Sequence, residues 1–292
     1  MNRTLVVVAI LFGCIAAQAA SMEAVLLGTG FPRPDPDRAG PSTAVIVGDK
    51  VFLVDTGRGV MMRYAALGLP LKSIRAVFLT HLHSDHTSGL PDVFASTWIF
   101  GRSTPLELYG PDGVVVMSDA LLKFFAADII IRRDLVENDP PEGAKINAHT
   151  VVEGVVYQDE DVKITAFAVD HGPVKPAFGY LFEGGGRRIV ISGDTRPSDN
   201  LVKYARGADV LIHEVYAPGF FERHDPPPRA ERLKAYHTSA DEVGEIAERA
   251  GVKLLVLTHI VGTGPDDEKA MRERVAAHFK GPFILGRDLM RF

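Results

Sequence analysis

The sequence Thr-His-Leu-His-Ser-Asp-His at residues 80–86 decides the fold of this 292-residue chain. It directly follows residues 74–79, whose β-branched and apolar side chains predict a buried strand. The histidines are therefore expected in a loop at the carboxyl end of a strand, where α/β folds place their sites. Four metal-binding side chains within six residues suggest two metal ions. A histidine-rich polar turn is the alternative, but clustered imidazoles and a carboxylate are costly to bury without a metal.

The first nineteen residues have the pattern of a secretory signal peptide. Arg3 supplies a positive charge, residues 5–15 are an apolar run, and Ala-Gln-Ala at residues 17–19 is a small-residue cleavage pattern. The run is shorter than the roughly 20 residues that a membrane-spanning helix needs, so no transmembrane segment is expected in the mature chain. A buried N-terminal strand or helix is the alternative. We predict a signal peptide at residues 1–19, one domain at residues 20–292, and a periplasmic or secreted protein.

Cys14 is the only cysteine, and it lies inside the predicted leader. The mature chain would therefore carry no thiol, and any metal must be held by nitrogen and oxygen. Residues 11–14 also resemble a lipoprotein cleavage box, so lipidation of Cys14 is an alternative route of export. The formal net charge is −5, whereas enzymes that act on nucleic acid normally show a basic surface. The charge balance therefore argues against a nucleic-acid substrate.

Further strand-like segments each end in a side chain that can bind or orient a metal. The polar residues that follow such segments are Asp55, His171, Asp194, Glu214 and His259. Asp55 is either a turn former or a carboxylate that orients a metal-binding imidazole. Two strand-rich halves with helices outside predict an α/β (α+β) protein built as a four-layer αββα sandwich.

Some local patterns predict individual elements. Ser239 with Glu242 has the spacing of a capping box at the start of a helix. Residues 129–136 are predicted to be strand-rich. Residues 220–228, which contain two phenylalanines and three prolines, are predicted to form a lid or rim loop, with a plain surface loop as the alternative.

The order of Asp55, the histidine-rich loop, His171, Asp194 and His259 resembles the metallo-β-lactamase superfamily across essentially the whole predicted mature chain. Four short motifs narrow the resemblance to the ribonuclease Z branch, which also contains arylsulfatase-like enzymes. These motifs are Leu-Gly-Thr-Gly at 27–30, Tyr-Gly-Pro at 109–111, Ile-His-Glu at 212–214 and His-Thr-Ser at 237–239. The resemblance implies a metallo-β-lactamase-like fold and a metal-dependent hydrolase of the phosphodiesterase or arylsulfatase type.

The resemblance also assigns metal ligands. It implies two Zn²⁺ ions, with iron or manganese as alternatives, and a metal-bridging hydroxide as the nucleophile. One zinc would be held by His81, His83 and His171, the other by Asp85, His86 and His259, and Asp194 would bridge them. Asp55 would orient one of the metal-binding imidazoles.

Three catalytic residues are implied in the same way, namely Asp85, His237 and Glu214. His237, oriented by Glu214, would face the leaving group as a general acid or as a stabiliser of charge. The alternative for His237 is a simple turn residue before a helix cap. The remaining histidines of the predicted domain, at positions 149, 213, 224 and 278, are predicted to be structural or surface residues.

The length of chain between two ligands bears on the substrate. Ribonuclease Z proper is expected to carry a long tRNA-gripping arm there, and only 22 residues separate His171 from Asp194. Together with the leader and the acidic charge, this spacing predicts a small phosphodiester or aryl sulfate ester as the substrate, and tRNA is not expected. A lactamase, lactonase or thioesterase and a non-catalytic zinc-binding module are the alternative functions. A homodimer is left open.

Overall fold

The computed structural model describes residues 20–292, and the predicted signal peptide at residues 1–19 lies outside the described residues. Within this range the strands form two sheets. The strands are β1 (Met22–Gly28), β2 (Ser42–Val47), β3 (Lys50–Val54), β4 (Ile74–Phe78), β5 (Leu106–Gly110), β6 (Ile146–Thr150), β7 (Gly154–Gln158), β8 (Val162–Ala168), β9 (Phe178–Gly184), β10 (Arg187–Ile191), β11 (Val210–Tyr216), β12 (Leu255–Val261) and β13 (Phe283–Leu285).

Each sheet combines antiparallel and parallel strands. The first sheet contains β1 to β6 in sequence order, and the second has the order β13-β12-β11-β10-β9-β8-β7. Strands β3 to β6 are parallel neighbours in the first sheet, as are β10 to β13 in the second. The carboxyl ends of parallel neighbours lie at one edge of a sheet, which is the usual position of a site in α/β proteins.

Ten α-helices accompany the sheets in residues 20–292, and several of them pack on the outer faces. The helices are α1 (Val60–Ala65), α2 (Ser84–Thr87), α3 (Leu90–Ile99), α4 (Val114–Phe124), α5 (Ala126–Ile130), α6 (Asp199–Ala205), α7 (Phe220–His224), α8 (Pro227–Lys234), α9 (Ala240–Ala250) and α10 (Gly264–His278). Of the helices in residues 20–292, none combines the length and the apolar character required to cross a bilayer.

Three separate apolar layers hold the chain together. One packs α1, α3 and α4 against the first sheet, and another packs α6, α9 and α10 against the second. The middle layer lies between the sheets and contains Phe52, Phe78, Tyr180 and Phe182, each fully buried. Burial of such side chains contributes about 1.5–3 kcal/mol each. The layers therefore follow the order helix, sheet, sheet, helix, and the predicted αββα fold is confirmed.

The strand prediction for residues 129–136 is wrong. This segment completes α5 and continues as the helical turn Ile131–Val136. Arg132 forms ion pairs with Asp128, one turn earlier, at 3.1 Å and with Glu137 at 2.7 Å. Ion pairs between residues four apart stabilise a helix. The pair with Asp128 favours the helical turn, whereas the strand was predicted from β-branched composition alone.

The loop prediction for residues 220–228 is also wrong. The segment forms α7 and the first turn of α8. Pro227 and Pro228 occupy that first turn, where the missing N–H of proline breaks no helical hydrogen bond. Proline therefore starts a helix here, although three prolines in a row suggested a loop.

Candidate functional site

The seven side chains that were predicted as metal ligands converge at one edge of the two sheets. The loop after β4 supplies His81 and His83, α2 supplies Asp85 and His86, the segment after β8 supplies His171, the loop after β10 supplies Asp194, and β12 supplies His259. Six of the seven are buried, and His83 is half-buried. The sequence reasoning therefore identified a set of residues that the fold brings together.

The first group of ligands contains three imidazoles and Asp194. His81 Nε2 lies 3.0 Å from His83 Nδ1, and His171 Nε2 lies 3.4 Å from the same atom. Asp194 Oδ2 is 3.8 Å from His81 Nε2 and 4.0 Å from His171 Nε2. One nitrogen or oxygen of each residue thus faces a common point, as metal coordination requires.

The second group lies on the other side of Asp194. His86 Nε2 is 3.5 Å from Asp85 Oδ2, and His259 Nε2 is 3.3 Å from the same oxygen. Asp194 places Oδ1 3.4 Å from His86 Nε2 and Oδ2 3.2 Å from His259 Nε2. Asp194 therefore contacts both groups, the position that a bridging carboxylate would occupy.

His259 reaches the cluster because strand β12 carries a bulge. Glu214 pairs with Thr258, but the next residue of β11, Val215, pairs with Ile260. His259 is the extra residue, and its φ of 42° is unusual for a residue other than glycine. Backbone strain of this kind persists where the surrounding structure enforces it, often at functional sites.

Asp55 orients two of the imidazoles. Its Oδ2 lies 2.8 Å from His86 Nδ1, so the Nδ1–H donates to the carboxylate and Nε2 faces the cluster. Both carboxylate oxygens also accept hydrogen bonds from Thr80, one from its N–H and one from its hydroxyl. The Thr80 hydroxyl is in turn 3.0 Å from His81 Nδ1. Thr80 is a functional residue that the sequence reasoning missed, although it directly precedes His81.

The ring of His171 is oriented by a backbone group. Its Nδ1 lies 2.9 Å from the carbonyl oxygen of Tyr236, so the Nδ1–H donates to that oxygen and Nε2 faces the cluster. Tyr236 lies between the end of α8 and His237. No sequence signal identifies such a contact, because any residue at position 236 offers the same carbonyl.

Glu214 and His237 form a buried pair next to the ligands. Glu214 Oε2 is 2.8 Å from His237 Nδ1, and its Oε1 accepts the N–H of Thr195 at 2.7 Å. Burial raises the pKa of Glu214 and lowers that of His237 to about 4. The contact with Glu214 occupies Nδ1 and leaves Nε2 as the other ring nitrogen. His237 lines the cavity described below, and Nε2 is the ring nitrogen left to serve it as a donor.

The predicted capping box fixes the backbone just after His237. Ser239 accepts a hydrogen bond from the N–H of Glu242, and the Glu242 side chain accepts one from the N–H of Ser239. This capping box begins α9 two residues after His237. The predicted helix start is confirmed, and it anchors the segment that carries His237.

An open cavity of about 270 Å³ adjoins the cluster. Its floor includes His83, Asp85, Asp194, His237 and His259. Its walls come from the loop after β1 and from the helices α7 and α8, and they contain phenylalanine, tyrosine, leucine and arginine side chains. Residues 220–234 therefore form a rim of the site, as predicted for 220–228, but they do so as helices.

Comparison with known proteins settles the family. Residues 50–260 match the model of the beta-lactamase superfamily domain. The chain is 41% identical over 277 residues to a ribonuclease Z of Mycobacterium bovis, an alignment that covers 92% of this chain and 97% of that protein. The chain belongs to the ribonuclease Z family of the β-lactamase superfamily. A second member, from Mycobacterium marinum, is 42% identical over 280 residues and is covered over 98% of its length.

Solved structures agree on the fold of this ribonuclease Z family member. A metallo-β-lactamase fold protein of Bacillus subtilis superposes with a TM-score of 0.73 at 22% identity, over 93% of this chain and 99% of that one. The short form of human tRNase Z gives a TM-score of 0.68 at 24% identity, over 92% and 98% of the two chains. The predicted family, fold and metal-dependent hydrolase class are confirmed.

The predicted substrate class is wrong. A small ester was expected and tRNA was not, yet the relatives are ribonucleases by name and one structural neighbour is a tRNase. The relatives are matched over 97–98% of their own length, so the short spacing between His171 and Asp194 does not set this chain apart from them. Net charge did not predict the substrate class correctly, because it is a sum over all charged residues and does not describe the charge beside a site.

The residues of the cluster fit a divalent metal. His86 Nε2 and Asp194 Oδ1 are buried and lie 3.4 Å apart, but neither makes a well-formed hydrogen bond among the described residues. This state is costly unless a cation satisfies both atoms. Burial lowers the pKa of His171 to about 4 and that of His81 further below its ordinary value, so both rings present a lone pair. Burial also disfavours the charged form of His259, but the carboxylates of Asp194 and Asp85 raise the pKa of this ring to about 9. A metal would displace the proton held there.

Proposed function

We propose that this protein hydrolyses phosphodiester bonds in RNA, with a precursor of transfer RNA as the first substrate to test. The observation that carries the proposal is the match to proteins named ribonuclease Z at 41% identity over 92% of the chain. The ligand cluster and the adjacent His237 supply the groups that such a reaction requires.

We infer that the cluster holds two zinc ions. Two groups of ligands that share Asp194 support the number, and an all-nitrogen and oxygen donor set with several imidazoles supports zinc. His81, His83 and His171 would hold one ion, Asp85, His86 and His259 the other. When bound, divalent ions at such a site activate water for attack and offset the charge of the phosphoryl group.

The side chains outside the ligand set have separate tasks. As water attacks phosphorus, a new P–O bond forms and the bond to the leaving oxygen breaks. His237 donates the proton on Nε2 to that leaving oxygen, and the proton shared with Glu214 stays on the ring at Nδ1, so that the ring ends the step neutral. The attacking water loses one proton to solvent. Glu214 holds the ring in place and stabilises the charge that the proton transfer changes. Asp55 keeps His86 in the orientation that ligation needs.

A side-by-side assay tests the proposal. Zinc-loaded protein is incubated with a tRNA transcript that carries a 3′ extension, and in parallel with a nitrophenyl phosphodiester, an aryl sulfate, a lactone and a cephalosporin. We expect a discrete RNA cleavage that a chelator abolishes and zinc restores. Rapid turnover of the lactone or cephalosporin with intact RNA would overturn the proposal in favour of the acyl hydrolases, and inactivity on the whole panel would favour a non-catalytic zinc module.

Export is a second, independent proposal, and it is supported only by the composition of residues 1–19. Expression of the full chain in a bacterium, followed by cell fractionation and N-terminal sequencing, tests it. A mature N-terminus at Ala20 in the periplasm or medium is expected. An intact N-terminus at Met1 in the cytoplasm would refute it, and lipidation at Cys14 would support the lipoprotein route. The result also decides which RNA the enzyme meets in the cell.

A further inference from the structure

Two part-exposed aromatic rings line the cavity beside the ligand cluster. The ring of Phe31, in the loop after β1, makes an edge-to-face contact with buried Phe220 at a centroid distance of 5.6 Å. The ring of Tyr236 lies edge-to-face with His171 at 5.0 Å and 4.8 Å from His237. Each ring is therefore held by a buried partner and keeps some of its own surface accessible in the cavity.

The position of His237 shows which part of a substrate these rings would face. Its Nδ1 lies 4.0 Å from Asp194 Oδ2, and the centroid of its ring lies 6.3 Å from that of the Phe221 ring, which also lines the cavity. In the reaction proposed above, His237 donates to the leaving oxygen. The space beyond it, which the aromatic rings line, then holds whatever is attached to that oxygen. In RNA this is a ribose with its base.

We propose that this cavity binds the nucleobase on the leaving side of the scissile phosphodiester, by stacking on Phe31 and Tyr236. The inference rests on the proposed function, because it takes the leaving group to be a nucleotide. Stacking on aromatic side chains accepts every base, since each base has a π-face. The cavity therefore selects a nucleotide over a simple alcohol, without selecting a particular base.

Two arginines support this assignment. Arg33 and Arg229 are exposed and line the same cavity. Arg229 Nε forms an ion pair with Asp225 Oδ1 at 2.7 Å, which orients the guanidinium group and leaves its terminal nitrogens for a second acceptor. Arginine binds phosphate oxygens through such paired donors. A phosphate next to the stacked base would find these side chains at the rim.

The direct test is a binding measurement that does not depend on turnover. Saturation-transfer NMR on zinc-loaded protein compares adenosine with ribose, for the wild type and for the variants Phe31→Leu and Tyr236→Leu. We expect adenosine to bind and ribose to bind far more weakly, and each leucine variant to weaken adenosine binding roughly tenfold or more, as loss of one stacking contact does. Equal binding of adenosine and ribose by the wild type would overturn the inference.

Matched variants separate stacking from general damage. Tyr236→Phe keeps the ring and should bind adenosine like the wild type, whereas Tyr236→Leu should not. Phe124→Leu changes a phenylalanine that is 75% exposed on α4 and should have no effect. Zinc content and melting temperature are measured for every variant. A Tyr236→Phe protein that loses adenosine binding as fully as Tyr236→Leu would also overturn the inference.

The adenosine-binding test and the RNA-cleavage test can give different answers. Wild-type protein that binds adenosine through these rings but cleaves no RNA would support base stacking in the cavity, and it would refute both the proposed function and the assignment of the base to the leaving side. Protein that cleaves RNA but binds adenosine no better than ribose would refute the cavity assignment alone.

Discussion

Asp55 Oδ2 lies 2.8 Å from His86 Nδ1, and this contact determines which nitrogen of His86 faces the ligand cluster. Asp55 itself has a φ of 60°, an uncommon backbone conformation for aspartate, at the end of β3. The N–H and hydroxyl of Thr80 donate to the same carboxylate. One carboxylate thus organises both the start of the histidine-rich loop and the ring of His86.

Asp55→Ala should weaken zinc binding by roughly 10–100-fold, because loss of a partner that orients a metal-binding imidazole has effects of this size. Competition with a chromophoric chelator measures the affinity. Asp49→Ala, in the exposed turn between β2 and β3, is the matched control and should bind zinc like the wild type. Equal affinities for the two variants would show that the contact with His86 does not matter for ligation.

A glycine next to Asp194 provides a second test. Gly193 has a φ of 62°, and a Cβ there would lie 2.8 Å from the carbonyl oxygen of Phe178. Gly186 has a φ of 72°, but a Cβ there would meet nothing within 4 Å. Both positions disfavour alanine by about 1–2 kcal/mol through backbone strain. Only Gly193 adds a steric clash, and overpacking costs a further 1–3 kcal/mol or so.

We therefore expect Gly193→Ala to lower the free energy of unfolding by more than Gly186→Ala does, and to weaken zinc binding because Asp194 is displaced. Urea denaturation and zinc titration of both variants measure the two effects. Similar losses of stability, with unchanged zinc affinity in both, would show that the backbone at Gly193 adjusts without moving Asp194.

The sequence predicted which side chains converge where the predicted ligands follow regular strands. His81, His83 and Asp194 each come shortly after a strand with a parallel neighbour, and parallel topology brings such ends together. His171 follows β8, whose two neighbours are antiparallel, but β8 runs in the same direction as β10 and ends at the same edge. His259 is different, since it lies within β12 and reaches the site only because of a bulge. Its position in the chain order of the family predicted it, and strand periodicity alone could not.

The wrong predictions came from sequence patterns that are compatible with more than one structure or substrate. An apolar β-branched run at 129–136 fits a strand, but ion pairs of Arg132 with neighbours in sequence stabilise a helix there. Prolines at 226–228 fit a loop and equally the first turn of α8. The substrate was inferred from the predicted leader, the net charge and the spacing of two ligands, and none of these describes the cavity beside the ligands.

Asp194 offers the clearest test of how many metals bind. Because its carboxylate contacts both groups of ligands, Asp194→Ala should reduce the zinc content from about two equivalents to less than one and abolish turnover. Metal analysis after chelation and reloading measures this. Asp92→Ala, an exposed aspartate on α3, is the control and should keep both ions. Wild-type protein that is fully active with one equivalent would contradict a dinuclear site.

The most discriminating prediction concerns His237. Its Nδ1 is engaged by Glu214, and its Nε2 is the donor available to the cavity. His237→Ala should keep both metals and lower turnover by roughly 10²–10⁴-fold, the usual range for general acid–base catalysis. His278→Ala, on the surface at the end of α10, is the matched control and should retain wild-type turnover.

The size of the His237→Ala loss should depend on the leaving group. Nitrophenolate is a good leaving group that needs little protonation, so a nitrophenyl phosphodiester should show a small loss. An alkoxide such as a ribose oxygen is a poor leaving group, so RNA should show a large one. Turnover of both substrates by wild type and variant measures the difference. The same fractional loss on both would instead assign His237 to charge stabilisation or substrate positioning, and wild-type turnover on both would leave it a structural residue.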